Sequence, residues 1–212
     1  MEHRVSARAR LAVLVSGGGT NLQAILDAIE GGTLVAEVVV VASNRADAYG
    51  LERARRAGVP TLVDEWRPAR AVGHSREEYD AALAEALLDY QPDWVVLAGW
   101  MHLLSMAFLR HFPGRVINLH PALPGQFPGL RAIERGWGAY QRGEVDEVGI
   151  MIHLVPDEGI DDGPVLASEV IPIEESDTFP RFEARLHAAE HRLLVEVLAR
   201  LVSGKERMEN GK

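Results

Sequence analysis

The sequence contains no cysteine. Disulfides, thiolate nucleophiles and cysteine-based zinc sites are therefore excluded, and nothing in the chain demands an oxidising compartment. Long apolar runs are also missing, since the longest, residues 94–101, falls well short of the roughly 18 residues that suggest a membrane helix. A secretory leader is not evident: MEHRVSARAR is basic but has neither an apolar core nor a small-residue cleavage site. Basic charge is in deficit, with 22 Lys and Arg against 31 Asp and Glu, a net charge of -9. Such a surface repels nucleic acid and anionic membranes at long range, so any anionic ligand must be held by a local site. These absences describe a soluble, cytoplasmic protein with neither nucleic acid nor membrane among its partners.

What is present suffices for one sizeable core: 212 residues, 47% of them hydrophobic. Residues 1–10 read as a flexible arm, 11–203 as a single domain and 204–212 as a flexible tail. Strand and helix signals alternate, the pattern of an α/β fold with a mostly parallel sheet and helices on both faces. Strands are expected at residues 11–15, 34–42, 61–63, 93–98 and 115–119, with helices between them: one striped by Leu22, Ile25, Leu26 and Ile29 and closed by Gly31-Gly32, then others at 49–57, 75–90 and 105–111. Residues 120–130 contain three prolines and two glycines and read as a fixed-shape loop. After a helix at 131–142, strands at 148–155 and 165–173 are joined by the short PDEGIDDGP turn, which implies an antiparallel pair. Phe182, Leu186, Leu193, Val197 and Leu201 then stripe a last helix.

Four segments can carry chemistry. The first is SGGGTN, residues 16–21, between a strand and a helix start, where glycines let the backbone approach a ligand and unpaired N–H groups favour a phosphate. It is neither a dinucleotide fingerprint nor an ATPase loop: Leu22 stands where the third glycine belongs, and no lysine follows the glycines. The second is the strand end carrying Asn118 and His120, two apart and so on one face, an amide donor beside a titratable imidazole. That pair meets the two demands of acyl transfer to an amine, oxyanion stabilisation and proton movement. The third is the acidic turn at 156–164, whose aspartates can orient a histidine. The fourth is His187-Ala188-Ala189-Glu190-His191, which matches a zinc-peptidase spacing but finds only Glu196, Glu206 and Glu209 downstream as a third ligand.

Taken in order, SGGGTNLQ, SREEYD, LAGWMHLLS, VINLHPALPGQFPG and DEGIDDGPV resemble the glycinamide ribonucleotide formyltransferase family over nearly the whole chain. The resemblance implies a Rossmann-like twisted sheet, 10-formyltetrahydrofolate as co-substrate, glycinamide ribonucleotide as acceptor and no metal, in a monomer or homodimer. It implies that Gly19, Thr20 and Asn21 hold the nucleotide phosphate, with His187 and Glu190 completing that end. Arg76, Trp100, Met101, His102, Leu103 and Leu104 would contact the folate, together with Asn118. Asn118, His120 and Asp161 fall on the catalytic positions, Asp161 being preferred to Asp162 as the first residue of a D-x-G-P pattern. Asp161 beside His120 is expected to raise the imidazole pKa and keep it cationic, ready with the Asn118 amide to meet the oxyanion.

This chain departs from the family pattern at His102, where many members have arginine. It departs again in the proline loop, which lacks a common lysine, and in a segment from His153 to Asp161 that is one residue longer. Related activities change the acceptor. A methionyl-tRNA formyltransferase needs a further domain and a basic face, and a formyltetrahydrofolate hydrolase needs an amino-terminal regulatory domain. A non-catalytic nucleotide-binding module would use the glycine loop alone, with no need of Asn118, His120 and Asp161.

Overall fold

The computed structural model describes residues 8–204. The arm expected at 1–10 and the tail expected at 204–212 lie mostly outside the described residues. Ala9 and Arg10, expected in the arm, belong to the first strand. Arg10 is held there by its main-chain N–H, which donates to Asp93 at 2.8 Å, and by an ion pair with Glu37 at 2.5 Å.

In chain order the elements are β1 (Ala9–Val15), α1 (Thr20–Glu30), β2 (Ala36–Ser43), α2 (Tyr49–Arg56), β3 (Thr61–Val63) and α3 (Trp66–Ala71). There follow α4 (Arg76–Leu88), β4 (Trp94–Leu97), α5 (Met106–Leu109), β5 (Val116–His120) and α6 (Ala132–Gln141). The chain closes with β6 (Val148–Leu154), β7 (Val165–Ile171) and α7 (Phe179–Val202). One sheet of seven strands has the order β3-β2-β1-β4-β5-β6-β7. The strands from β3 across to β5 pair in parallel, and β6 runs antiparallel to both β5 and β7.

Alternation along the strands divides the core. Leu11, Val13 and Val15 of β1 join one buried cluster, with residues of α1, α2 and α7, whereas Ala12 and Leu14 join another with α4 and α5. Because both faces are covered, both sets of side chains are apolar, which is why the strand reads as a continuous hydrophobic run. The chain moves outward from β1 to β2 and β3, then returns to β1's other side for β4 and β5. This reversal opens a crevice beyond the carboxyl ends of β1 and β4, where sheets of this kind take ligands.

Several elements differ from the sequence expectation by a few residues, and three differences are informative. The short helix α3 was not anticipated, because six residues with no apolar repeat give no helical signal. The helix expected from residue 75 begins at Arg76, with Ser75 as its N-cap: the Ser75 hydroxyl accepts from Glu78 N–H at 3.2 Å and the Glu78 carboxylate accepts from Ser75 N–H at 2.8 Å. Strand β5 extends one residue further than expected, to His120, which pairs with Met151 of β6. No helix among the described residues is long and apolar enough to cross a membrane.

Candidate active site

A cleft of about 610 Å³ lies over the carboxyl ends of the central strands. It is lined by the glycine loop and the start of α1, by residues 97–104 after β4, by the end of β5, by residues 129–133, by the acidic turn and by one face of α7. Gly19, Thr20, Asn21, His187 and Glu190 all face it, as do Trp100, Met101, His102, Leu103, Leu104, Asn118, His120 and Asp161. Arg76 does not. Its guanidinium pairs with the buried Asp80 at 3.0 Å and donates to the Leu103 carbonyl, so it braces the wall from behind.

The glycine loop is set by close packing. Gly19 has φ 68, and a Cβ there would meet Gly50 Cα at 2.6 Å, so both the left-handed backbone and the contact with α2 require glycine. Among the described residues, the main-chain N–H groups of Gly18, Gly19, Thr20 and Asn21 donate to no protein acceptor. On α7, His187 Nδ1 lies 2.7 Å from Glu190 Oε2, and hydrogen bonding to that carboxylate holds the His187 pKa above its ordinary value. His191 does not line the cleft, and among the described residues no group of three or more His, Asp and Glu could hold a metal ion.

Asn118, His120 and Asp161 meet although they come from β5 and a turn about 40 residues further along. Asp161 Oδ1 accepts from Asn118 Nδ2 at 2.9 Å, while Oδ2 lies 3.2 Å from His120 Nδ1 and accepts from Gly129 N–H at 2.8 Å. Asp162 instead packs against Gly159. Burial raises the Asp161 pKa, but hydrogen bonding, including that from Gly129 N–H, and the nearby imidazoles outweigh it and leave the group below its ordinary value. Asp161 adopts φ 54, a left-handed conformation costing about 1–2 kcal/mol in a non-glycine residue. Strain of this kind persists where surrounding contacts over-determine the geometry, as three polar partners do here.

His120 corrects one expectation. Burial lowers its pKa below the ordinary value, and although the charge of Asp161 and the bond to the Phe127 carbonyl raise it, they do not compensate. The imidazole is therefore poised neutral, with both ring nitrogens facing acceptors that would welcome a second proton: Asp161 Oδ2, and Phe127 O at 3.2 Å. The Phe127 carbonyl is itself fixed by Arg135 Nη2, which also donates to Pro128 O at 2.7 Å, so the proline loop has a cationic clamp.

Two polar residues escaped the sequence reading. His153, buried in β6, pairs with Asn118 in register and brings Nε2 to 3.1 Å from Asn118 Nδ2 and 3.5 Å from Asp161 Oδ1. With His153 Nδ1 donating to Leu154 O at 2.8 Å, Nε2 is left as an acceptor, and both Asn118 N–H groups are engaged, one by His153 and one by Asp161. Its one detectable signal was a lone polar side chain inside the apolar run VGIMIHL. Glu158 accepts from Met106 N–H at 2.6 Å and so ties the acidic turn to the start of α5. Exposed Met101, Leu103, Leu130 and Ile160 give the cleft an apolar mouth. His102, edge-on to Trp100, has its pKa lowered by burial and by Arg76.

The chain as a whole is matched among known proteins. Residues 9–198 fit the formyl transferase family model, and the chain belongs to that family. The relatives narrow the class. Phosphoribosylglycinamide formyltransferase of Schizosaccharomyces pombe is 43% identical over 205 residues, covering 92% of this chain and 98% of the relative. The enzyme of that name from Escherichia coli is 39% identical over 198 residues, covering 93% of this chain and 89% of the relative. The crystal structure of glycinamide ribonucleotide transformylase 1 from Symbiobacterium toebii is similar with TM-score 0.87 and 42% identity, covering 99% of this chain and 95% of that one.

Proposed function

We propose that this protein transfers the formyl group of 10-formyltetrahydrofolate to the amine of glycinamide ribonucleotide, a step of purine biosynthesis. The observation that carries the reading is the buried cluster of Asn118, His120 and Asp161 opening onto the same cleft as the glycine loop. The near-full-length likeness to phosphoribosylglycinamide formyltransferases supports the choice of substrates. A biosynthetic reaction of this kind suits the cytoplasm.

In this reading the nucleotide phosphate lies on the N–H groups of Gly19, Thr20 and Asn21, with His187 and Glu190 at its edge. The apolar mouth and Trp100, Met101, His102, Leu103 and Leu104 receive the flat rings of the folate, whose formyl group comes to rest by Asn118. The substrate amine attacks the formyl carbon directly. As the new C–N bond forms, neutral His120 takes the amine's proton, directly or through a water, and Asp161 stabilises the resulting imidazolium. The tetrahedral oxyanion is met by Asn118, one of whose N–H bonds turns from the protein to the substrate, and by the imidazolium. His120 then returns the proton to the folate nitrogen as the old C–N bond breaks. Formyl glycinamide ribonucleotide and tetrahydrofolate leave, and the protons balance.

The test is to mix the protein with 10-formyltetrahydrofolate and follow the folate absorbance with and without the ribonucleotide. Turnover that requires the ribonucleotide is expected. Formyl release without it would assign a hydrolase, and no turnover under either condition would assign a binding module.

A further inference from the structure

The N–H groups of the glycine loop serve a phosphate only if they point into the cleft, and three glycines in a row have no side chains to fix them. Something must orient those peptides from outside. Two of their carbonyls are held on the side away from the cleft, both by α2: Gly17 O accepts from Gly50 N–H at 3.0 Å and Gly18 O accepts from Arg53 Nε at 2.8 Å. In a trans peptide the carbonyl of one residue and the N–H of the next point in opposite directions. Tying back the Gly17 and Gly18 carbonyls therefore turns the Gly18 and Gly19 N–H groups toward the ligand side.

We propose that Arg53 is a positioning residue for acceptor binding, aiming the Gly18–Gly19 peptide at the nucleotide phosphate while remaining outside the cleft. Its guanidinium is held on two further sides. Nη1 donates to Gln23 Oε1 at 3.0 Å, and the Cζ atom lies 5.0 Å from the centre of the Tyr49 ring. Gln23 is in turn fixed by its own bond to Asp27 at 2.8 Å. Gly50 completes the device: a Cβ there would meet Val15 Cγ2 at 2.8 Å and Gly19 Cα at 3.4 Å, so α2 approaches the loop as closely as backbone allows. The Arg53 bond is charge-assisted, and its loss leaves the Gly18 carbonyl with no partner among the described residues.

This inference rests on the reading that the glycine loop binds the acceptor's phosphate, and one experiment separates the two. Steady-state kinetics of wild type, Arg53→Met, Arg53→Lys and Gln23→Leu are compared on glycinamide ribonucleotide and on the same acceptor lacking its phosphate, with inorganic phosphate as a competitor. Arg53→Met is expected to raise KM for the ribonucleotide about tenfold, the worth of a charge-assisted bond. It should leave KM for the folate unchanged and KM for the phosphate-free acceptor nearly so. Arg53→Lys should recover part of the loss, and Gln23→Leu should show a smaller loss of the same kind. If wild type favours the phosphorylated acceptor and Arg53→Met favours it equally, the role of Arg53 is overturned and the loop reading survives. If wild type does not distinguish the two acceptors, the loop reading falls and this inference with it. Equal losses on both acceptors would make Arg53 merely structural and would also overturn the proposal.

Discussion

The glycine loop and the Asn118–His120–Asp161 cluster line one cleft but are made by opposite means. The loop offers main-chain N–H groups, sits between β1 and α1 and draws its shape from close backbone packing with Gly50. The cluster offers side chains, is assembled from β5, β6 and a distant turn, and stores a left-handed aspartate held by three partners. A site for a fixed charge can be built from backbone dipoles, which need no titration and cost no reorganisation. A site that must accept and return a proton needs side chains of matched pKa, and these have to be buried and oriented by one another. The contrast predicts that damage to the cluster lowers kcat, whereas damage to the loop raises KM for the acceptor.

Apart from the loss of His120 itself, the largest effect should come from Asp161→Asn. Removing the carboxylate takes away the group that stabilises the imidazolium, and kcat is expected to fall about 100-fold or more, a loss of the size seen when a transition-state charge partner is removed. The pH profile adds a signed prediction. Reaction requires neutral His120, so kcat should fall only as pH drops below the ordinary histidine range, through a pKa that burial has lowered. Because Asp161 raises that pKa, Asp161→Asn should move the acid limb to still lower pH. An unchanged or higher limb would contradict the pairing of His120 with Asp161.

His153→Leu should have the next largest effect. It leaves one Asn118 N–H without its acceptor, so kcat is expected to fall about tenfold with KM for the ribonucleotide nearly constant. A rise in that KM with normal kcat would move His153 to the other end of the comparison. The smallest effect concerns His187, whose pKa is raised by Glu190. Protonated His187 attracts the phosphate, and that attraction is present at low pH and is lost as pH rises through its pKa, above 6.5. KM for the ribonucleotide should increase by up to about fivefold between pH 6 and pH 9, the span of a partly exposed ion pair, and this rise should vanish in His187→Ala.

These differences also set what the sequence made legible. Apolar runs and glycine breaks located the strands and helices to within a few residues, because a doubly covered parallel sheet writes both of its faces as hydrophobic. Asn118 and His120 were visible as a pair because a spacing of two on a strand puts them on one face. Asp161 came from the family resemblance, since nothing local distinguishes it from Asp162. His153 was illegible: its partner is set by the antiparallel register of β6 against β5, which no local pattern encodes. The neutral state of His120 was misread for a related reason, because a neighbouring carboxylate can be guessed from spacing but burial cannot. Arg76, expected at the folate, is absent from the cleft lining, and its charge pairs with the buried Asp80.

The central claim, that His120 carries the proton in formyl transfer, is tested most directly by the turnover of His120→Ala at saturating 10-formyltetrahydrofolate and glycinamide ribonucleotide. Thermal unfolding should verify that the variant is folded. A fall in kcat of about 100-fold to 1000-fold is predicted. Turnover within about threefold of wild type, well inside the tenfold that one modest interaction is worth, would contradict the account.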